Sequence, residues 1–550
     1  DQNLAEGLTF AMGSYVDATY VEKSKNVTCR YRLSGKLELW PLQLTQATYF
    51  ASPAPLQALG LEVGPDTTAG LQLSLRRRTT ELPKGKQEDK DEGAPVKELA
   101  LDSLPIHLSG SDVDRVAIYE QLFADCTAIT IRHLGPFETA KFVRLDLGSL
   151  DQVGFEDDEP LFAGDDRVFT GFTLLREFFS FQDKFLGFKL RNLREKLALI
   201  DAAEFDILFE FDKPVGRLSS IVKDTMFRLY TIPAANLFEM DCSRIPIRTN
   251  EYEHNVVPDR SRWLEFEAHR LVDIFAHYPG VKEKKRVFPI YNLPVGNVNT
   301  EDALYYSFRR LPRRPTDQEK RFGIPSNYMG GEMFISLLEP GSLDDKERVR
   351  ELSVRALCSN RHLPDQLPVG KTGADFTIVE DTTILMNCIA GPTPPRDSIV
   401  NIERARRDAN PSGEILWKLI NLLSFNHLGL TDRGADDPAM GLRELLTLFT
   451  DISDTITERR IRGIVGISSR PIVRRLKQET GFNAARGIEI TVTFDEKAFE
   501  GTGIMIFGAV LDRFFAEYTS INSFTETVVR SARRGVLKRW PPRSGTGQVL

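Results

Sequence analysis

The chain predicts an α+β protein of several domains, β-rich in its N-terminal and middle parts and more helical in a C-terminal α+β part. Three observations lead there. Ile488, Ile490, Val492 and Phe494 alternate with Glu489, Thr491 and Thr493, the period of a half-buried strand. A Gly-containing loop, an apolar helix from about 504 to 518 and a Thr-rich strand from about 523 follow it. In the first third, Leu71, Leu73 and Leu75 alternate with polar neighbours in the same way, whereas Ile415, Leu416, Leu419, Ile420 and Leu423 recur at helical spacing. A chain of 550 residues is too long for one compact core. We expect domains at 1–165, 166–400 and 401–550.

Taken in order, residues 111–124 read as a helix capped by Ser111 or Asp112, with Val116, Tyr119 and Phe123 on one face. Val143, Leu145 and Leu147 predict a strand. The charged, apolar-poor stretch 80–98 reads as a long hairpin loop, and the acidic stretch 151–167 as a loop at the first boundary. A helix at 170–181 precedes strands near 184–190 and 204–211, where Phe205, Ile207, Phe209 and Phe211 share a face. Prolines at 392–395 mark the next boundary, and helices at about 412–423 and 438–451 form a helical hairpin.

Net charge is −7, divided unevenly: residues 451–550 hold 16 Lys and Arg against 11 Asp and Glu, leaving −12 for the rest. An acidic body with a basic end suits charge-complementary assembly, and equally a mixed solvated surface. The basic runs Arg459–Lys477 and Arg533–Arg543 suit an acidic protein partner or a solvated face better than nucleic acid, since the chain is acidic overall and the first run has no aromatic residue. Five scattered cysteines without a CxxC pair fit a reducing cytoplasm. The longest apolar run is far shorter than a membrane span, and no signal-peptide pattern opens the chain.

The motif search finds no chemistry. Gly370-Lys371-Thr372 resembles the end of a phosphate loop, but the position that needs the first glycine is Asp365 and Pro368 interrupts the turn. Gly501-Thr502-Gly503 opens a helix after a strand, yet the third glycine falls at Gly508 rather than 506. No two histidines have zinc-ligand spacing, and there is neither HExxH nor GxSxG. The acidic run around Asp157 matches no EF-hand spacing. No catalytic, cofactor or metal residue is assigned. An enzyme with a dispersed active site is the alternative that sequence leaves open.

Helix 502–518 is apolar almost all round, with Phe507, Leu511, Phe514 and Phe515, so it is buried either in its own core or in a subunit interface. The 412–451 hairpin, through Leu416, Leu419 and Leu423, and Trp540 beside Pro541 and Pro542 carry the same two alternatives. These eight residues are the interface candidates.

Several ordered blocks carry a resemblance. They are GKLELWPLQLTQATYF (35–50), GFTLLREFFSFQDKFLGFKLRNL (171–193), NLFEMDCSRIPIRTNEYEHNVVPD (236–259), LCSNRHLPDQLPVG (357–370), GPTPPR (391–396), LWKLINLLSFNHLGL (416–430) and the block 487–542. In this order and spacing the chain resembles the TssF (ImpG or VasA) family of type VI secretion baseplate subunits, with Phe178 where Tyr is common. The resemblance implies a structural wedge subunit of a contractile injection machine. Two copies would join one TssG, with TssK and TssE in the wedge, around a VgrG spike, below the sheath and on the cytoplasmic side of the inner membrane. It implies no catalysis, cofactor, nucleic acid or membrane insertion. Family members usually begin with a helix-rich region ahead of the equivalent of residue 1, so that region is expected to be missing here.

Overall fold

The computed structural model describes residues 7–22, 25–78, 94–135, 139–162, 164, 171–248, 250–291, 303–315, 317–322, 326, 328–338, 348–371, 373–396, 439–449, 455–478, 481–501, 503–519 and 523–545. Two compact units share the chain: Asp1–Met12, Ser34–Pro233 and Leu419–Leu550 form one, Gly13–Leu33 and Ala234–Lys418 the other. Each unit is therefore assembled from segments far apart in sequence. The expected cuts at 165/166 and 400/401 fall inside units, and the acidic loop at 151 onwards is flanked on both sides by the first unit.

In the first unit an antiparallel sheet runs in the order Leu42–Phe50, Ala69–Arg77, Glu204–Phe211, Cys126–Leu134, Ala140–Leu145. Its alternation sets the core face: Leu71, Leu73 and Leu75 stand in register with Phe209, Ile207 and Phe205, and all are buried. Leu147 lies past the last strand, in a 3-10 turn, and is exposed. Helix α1 (Asp112–Ala124) starts where the Ser111 hydroxyl accepts a bond from the Asp114 amide, which satisfies one of the helix's orphan donors. Helix α2 (Gly171–Ser180) turns Leu175, Phe178 and Phe179 inward. Helices α3 (Met440–Thr447) and α4 (Thr455–Arg462) follow, with Leu442, Leu445, Leu446 and Ile461 buried.

The same unit ends in a second sheet of order Ile464–Gln478, Gly481–Phe494, Phe524–Ser531, Gly535–Arg539, with Arg543–Ser544 also bonded to Phe524–Ser531. Gly481–Phe494 and Phe524–Ser531 are parallel, so the chain must cross over between them, and helix α5 (Ile504–Glu517) is that crossover. One hydrophobic cluster runs from Leu42 to Trp540 and joins both sheets.

The second unit has its own core, around Val256, Ile274, Ile335 and Val354. An eight-stranded sheet, antiparallel apart from the Lys285–Pro289 and Leu304–Pro312 pair, packs this core. A five-stranded sheet contains Lys25–Leu33 and Tyr15–Glu22. Asn236 and Asn360 knit the two: each side-chain oxygen or amide bonds the other residue, Asn360 Oδ1 accepts from the Arg30 amide at 3.0 Å, and its Nδ2 donates to the Thr28 carbonyl at 3.2 Å.

Candidate interaction surfaces

Helix α5 is spent within its own unit. Phe507, Leu511, Phe514 and Phe515 are at most 1% exposed, and Trp540 is 6% exposed. Phe507 stacks on Phe178 of α2 at 5.0 Å between ring centroids, and Phe172 lies 6.2 Å from Phe514. Two glycines allow the close approach. A Cβ at Gly508 would sit 2.6 Å from Val529 Cγ2 and 2.9 Å from Trp540 Cη2. One at Gly503, whose φ is +75°, would meet Val116 Cγ1 of α1 at 2.6 Å. The glycines that echoed a dinucleotide fingerprint thus serve a turn and a packing contact. Of the eight interface candidates, these five pack in the unit's core, while Leu416, Leu419 and Leu423 lie outside the described residues.

The helix's polar positions also turn inward. Arg513 donates to Gln152 Oε1 at 3.1 Å and to the Ala509 carbonyl at 3.0 Å, with its guanidinium 3.9 Å from the Phe155 ring centroid. Burial pushes its pKa down to about 10. Asp512, fully buried, accepts from Arg543 Nε at 3.1 Å, and burial raises its carboxyl above the ordinary range.

The Gly370 turn is no phosphate loop. Its amide donates to Asp375 Oδ1 at 2.7 Å, so a carboxylate already holds a donor that a phosphate would need. The acidic stretch is partly neutralised where it is described: Lys189 Nζ bonds Glu156 and Glu159, each at 3.0 Å, and Arg191 pairs with Asp151 and Glu156, while Asp157 and Asp158 stay exposed. Deeper in, Lys184 and Glu177 form an ion pair with both side chains at most 1% exposed. Glu177 Oε1 also accepts from the Leu161 and Phe162 amides, at 2.8 and 3.2 Å. Burial lowers the Lys184 pKa, against the pull of Glu177.

What remains on the surface is the outer face of the C-terminal sheet. Glu489 and Glu526 are register partners on parallel strands, both buried, and like charges so placed repel. Three arginines resolve this. Arg474 grips Glu526 with two bonds of 3.0 Å, Arg470 Nη2 reaches Glu489 at 2.8 Å, and Arg539 bridges the two carboxylates, 2.5 Å from Glu489. Arg470, then burial in the opposite sense, set the Glu489 pKa, which lies below its ordinary value. Burial alone would raise Glu526, but the bonds from Arg474 and Arg539 outweigh it and its pKa is also low. Elsewhere in the basic runs, Arg534 pairs with Glu120 and Glu496, and Arg543 with Asp512. Much of the basic end is therefore neutralised inside the chain.

Beyond Gly487 the first two strands of this sheet continue alone. Ile472 to Gln478 pair with Gly481 to Gly487, while Phe524–Ser531 pairs only from Gly487 onwards. The result is a two-stranded arm, with Val473 64% exposed and Arg475 and Arg486 exposed. Sequence reasoning took 459–477 as a basic stretch and did not find the strand. Past Ile467 its apolar alternation stops, already at Ser469 opposite Ile490, and beyond Ile472 no third strand accompanies it among the described residues.

The family profile described as Type VI secretion system, TssF matches residues 1–547. The chain is 36% identical over 519 residues to Type VI secretion system component TssF1 of Pseudomonas aeruginosa, covering 94% of this chain and 79% of that protein. A chain of the solved TssK-TssF-TssG baseplate subcomplex of the type VI secretion system has the same fold. It superposes with a TM-score of 0.70 at 20% identity, over 99% of this chain and 88% of the other.

Proposed function

The chain belongs to the type VI secretion system TssF family, and on that premise we propose that it is a non-enzymatic baseplate subunit held by TssG and TssK. The observation that carries the reading is the end-to-end family match, from residue 1 to 547. In the fuller form of the proposal two copies join one TssG, TssE completes the wedge, and the wedges hold the VgrG spike and seat the sheath. Assembly takes place in the cytoplasm against the inner membrane; among the described residues no helix is long and apolar enough to cross one.

The architecture supports a mechanical role. A baseplate subunit must pass force between partners without yielding, and close-packed cores transmit strain well. In the first unit one core joins residues from Leu42 to Trp540, so segments distant in sequence pack together. The charges that would loosen such a body are paired: Glu177 with Lys184, Glu489 and Glu526 with three arginines.

Co-expression with affinity-tagged TssG and TssK tests the reading. The chain should be retained on the tagged partner and washed off neither by detergent nor by excess free chain. A chain that passes through unretained contradicts it.

A further inference from the structure

We infer that the β-arm formed by residues 472–478 and 481–486 docks onto an acidic protein surface of a baseplate partner; the inference rests on the baseplate reading above. Between Arg470 and Arg486 lie Arg470, Arg474, Arg475, Lys477 and Arg486 against the single carboxylate of Glu479, in a chain whose net charge is −7. The structure divides these cations into two kinds. Arg470 and Arg474, on one face, are consumed by the buried Glu489 and Glu526. Arg475 and Arg486, on the opposite face of the two strands, are exposed and have no ion pair among the described residues. They flank Val473, the register partner of Arg486, which is 64% exposed. An apolar spot rimmed by unspent guanidinium groups, just past the end of the third strand, matches the apolar centre and charged rim of a protein interface.

Three other occupants fit less well. Strand addition along the arm's outer edge is opposed by Pro471, which has no N–H to give, and by the neighbouring arginines. A second copy pairing through the same edge would bring the unspent Arg475 of each copy onto the same basic edge. A second copy's acidic loop is a smaller target, since Asp151, Glu156 and Glu159 are already paired with Lys189 and Arg191, which leaves Asp157 and Asp158 among its described carboxylates. An acidic surface on TssG or TssK meets the charge of the arm without either conflict.

The test measures binding of the full chain to TssG–TssK at low and high salt, for wild type and for Arg475→Glu/Arg486→Glu. The wild-type complex should weaken as salt rises. The charge-reversed chain should bind about tenfold or more weakly at low salt, with a flattened salt dependence and an unchanged melting temperature. Should reversal lower the melting temperature, Arg475→Gln/Arg486→Gln carries the same comparison, with a smaller loss expected. Equal affinity and salt dependence in the variants overturns the arm's role while leaving the baseplate reading standing. So does a variant that keeps its partners but loses concentration-dependent self-association, or only its retention on heparin. A wild-type chain that binds neither subunit overturns both.

Discussion

Lys184 and Glu177 show how a family block becomes structure. The run Leu175-Arg176-Glu177-Phe178-Phe179 lies in the helix expected at 170–181. In the fold that carboxylate is buried, held by two backbone amides and by Lys184. Removing one partner strands the other, so Lys184→Met should cost about 3–5 kcal/mol in urea unfolding. His107 makes a second prediction. Burial, with Glu159 and the Lys184 backbone pulling the other way, brings its pKa down from 6.5 to about 4. The folded state therefore prefers the neutral ring. Its contribution is complete above pH 6.5 and is lost as pH falls towards 4, and His107→Phe should flatten that part of a stability–pH curve. Neither role was legible beforehand: Glu177 and Lys184, though only seven residues apart, lie on different elements, and no local pattern joins His107 to the elements that bury it.

Helix α5 was the most legible element of the chain, because its flanking strands carry period-two patterns and its own residues are apolar on nearly every side. Ser111 likewise announced the start of α1 as a cap should. What periodicity did not reveal was which of its two alternatives the burial of α5 belongs to; the answer is the unit's own core. Phe514→Ala should then cost roughly 3–5 kcal/mol in thermal or urea unfolding. Gly508→Ala should destabilise as well, by about 1–3 kcal/mol, because the new methyl meets Val529 and Trp540 and overrides the usual helical gain. The Glu489–Glu526 network belongs to the sheet. With both pKa values depressed, it stabilises fully above the ordinary glutamate value of 4.5 and is lost as pH falls below it. In Glu489→Gln/Glu526→Gln that acid transition should shrink, while the His107 transition at higher pH should persist.

For the whole molecule, sequence blocks identified the family but composition did not find the units. Local runs carry no mark of the partner they will pack against, and here Gly13–Leu33 joins residues beyond 233 while Leu419–Leu550 joins Ser34–Pro233. The Asn236–Asn360 bonds illustrate this, since two blocks that looked like separate signatures meet as one contact in the second unit. The central claim concerns assembly, and the native mass by light-scattering chromatography, with and without co-expressed TssG, tests it most directly. The account predicts a discrete complex containing two 62.1 kDa copies of this chain for each TssG. A well-behaved monomer or homo-oligomer whose mass is unchanged by TssG would contradict it.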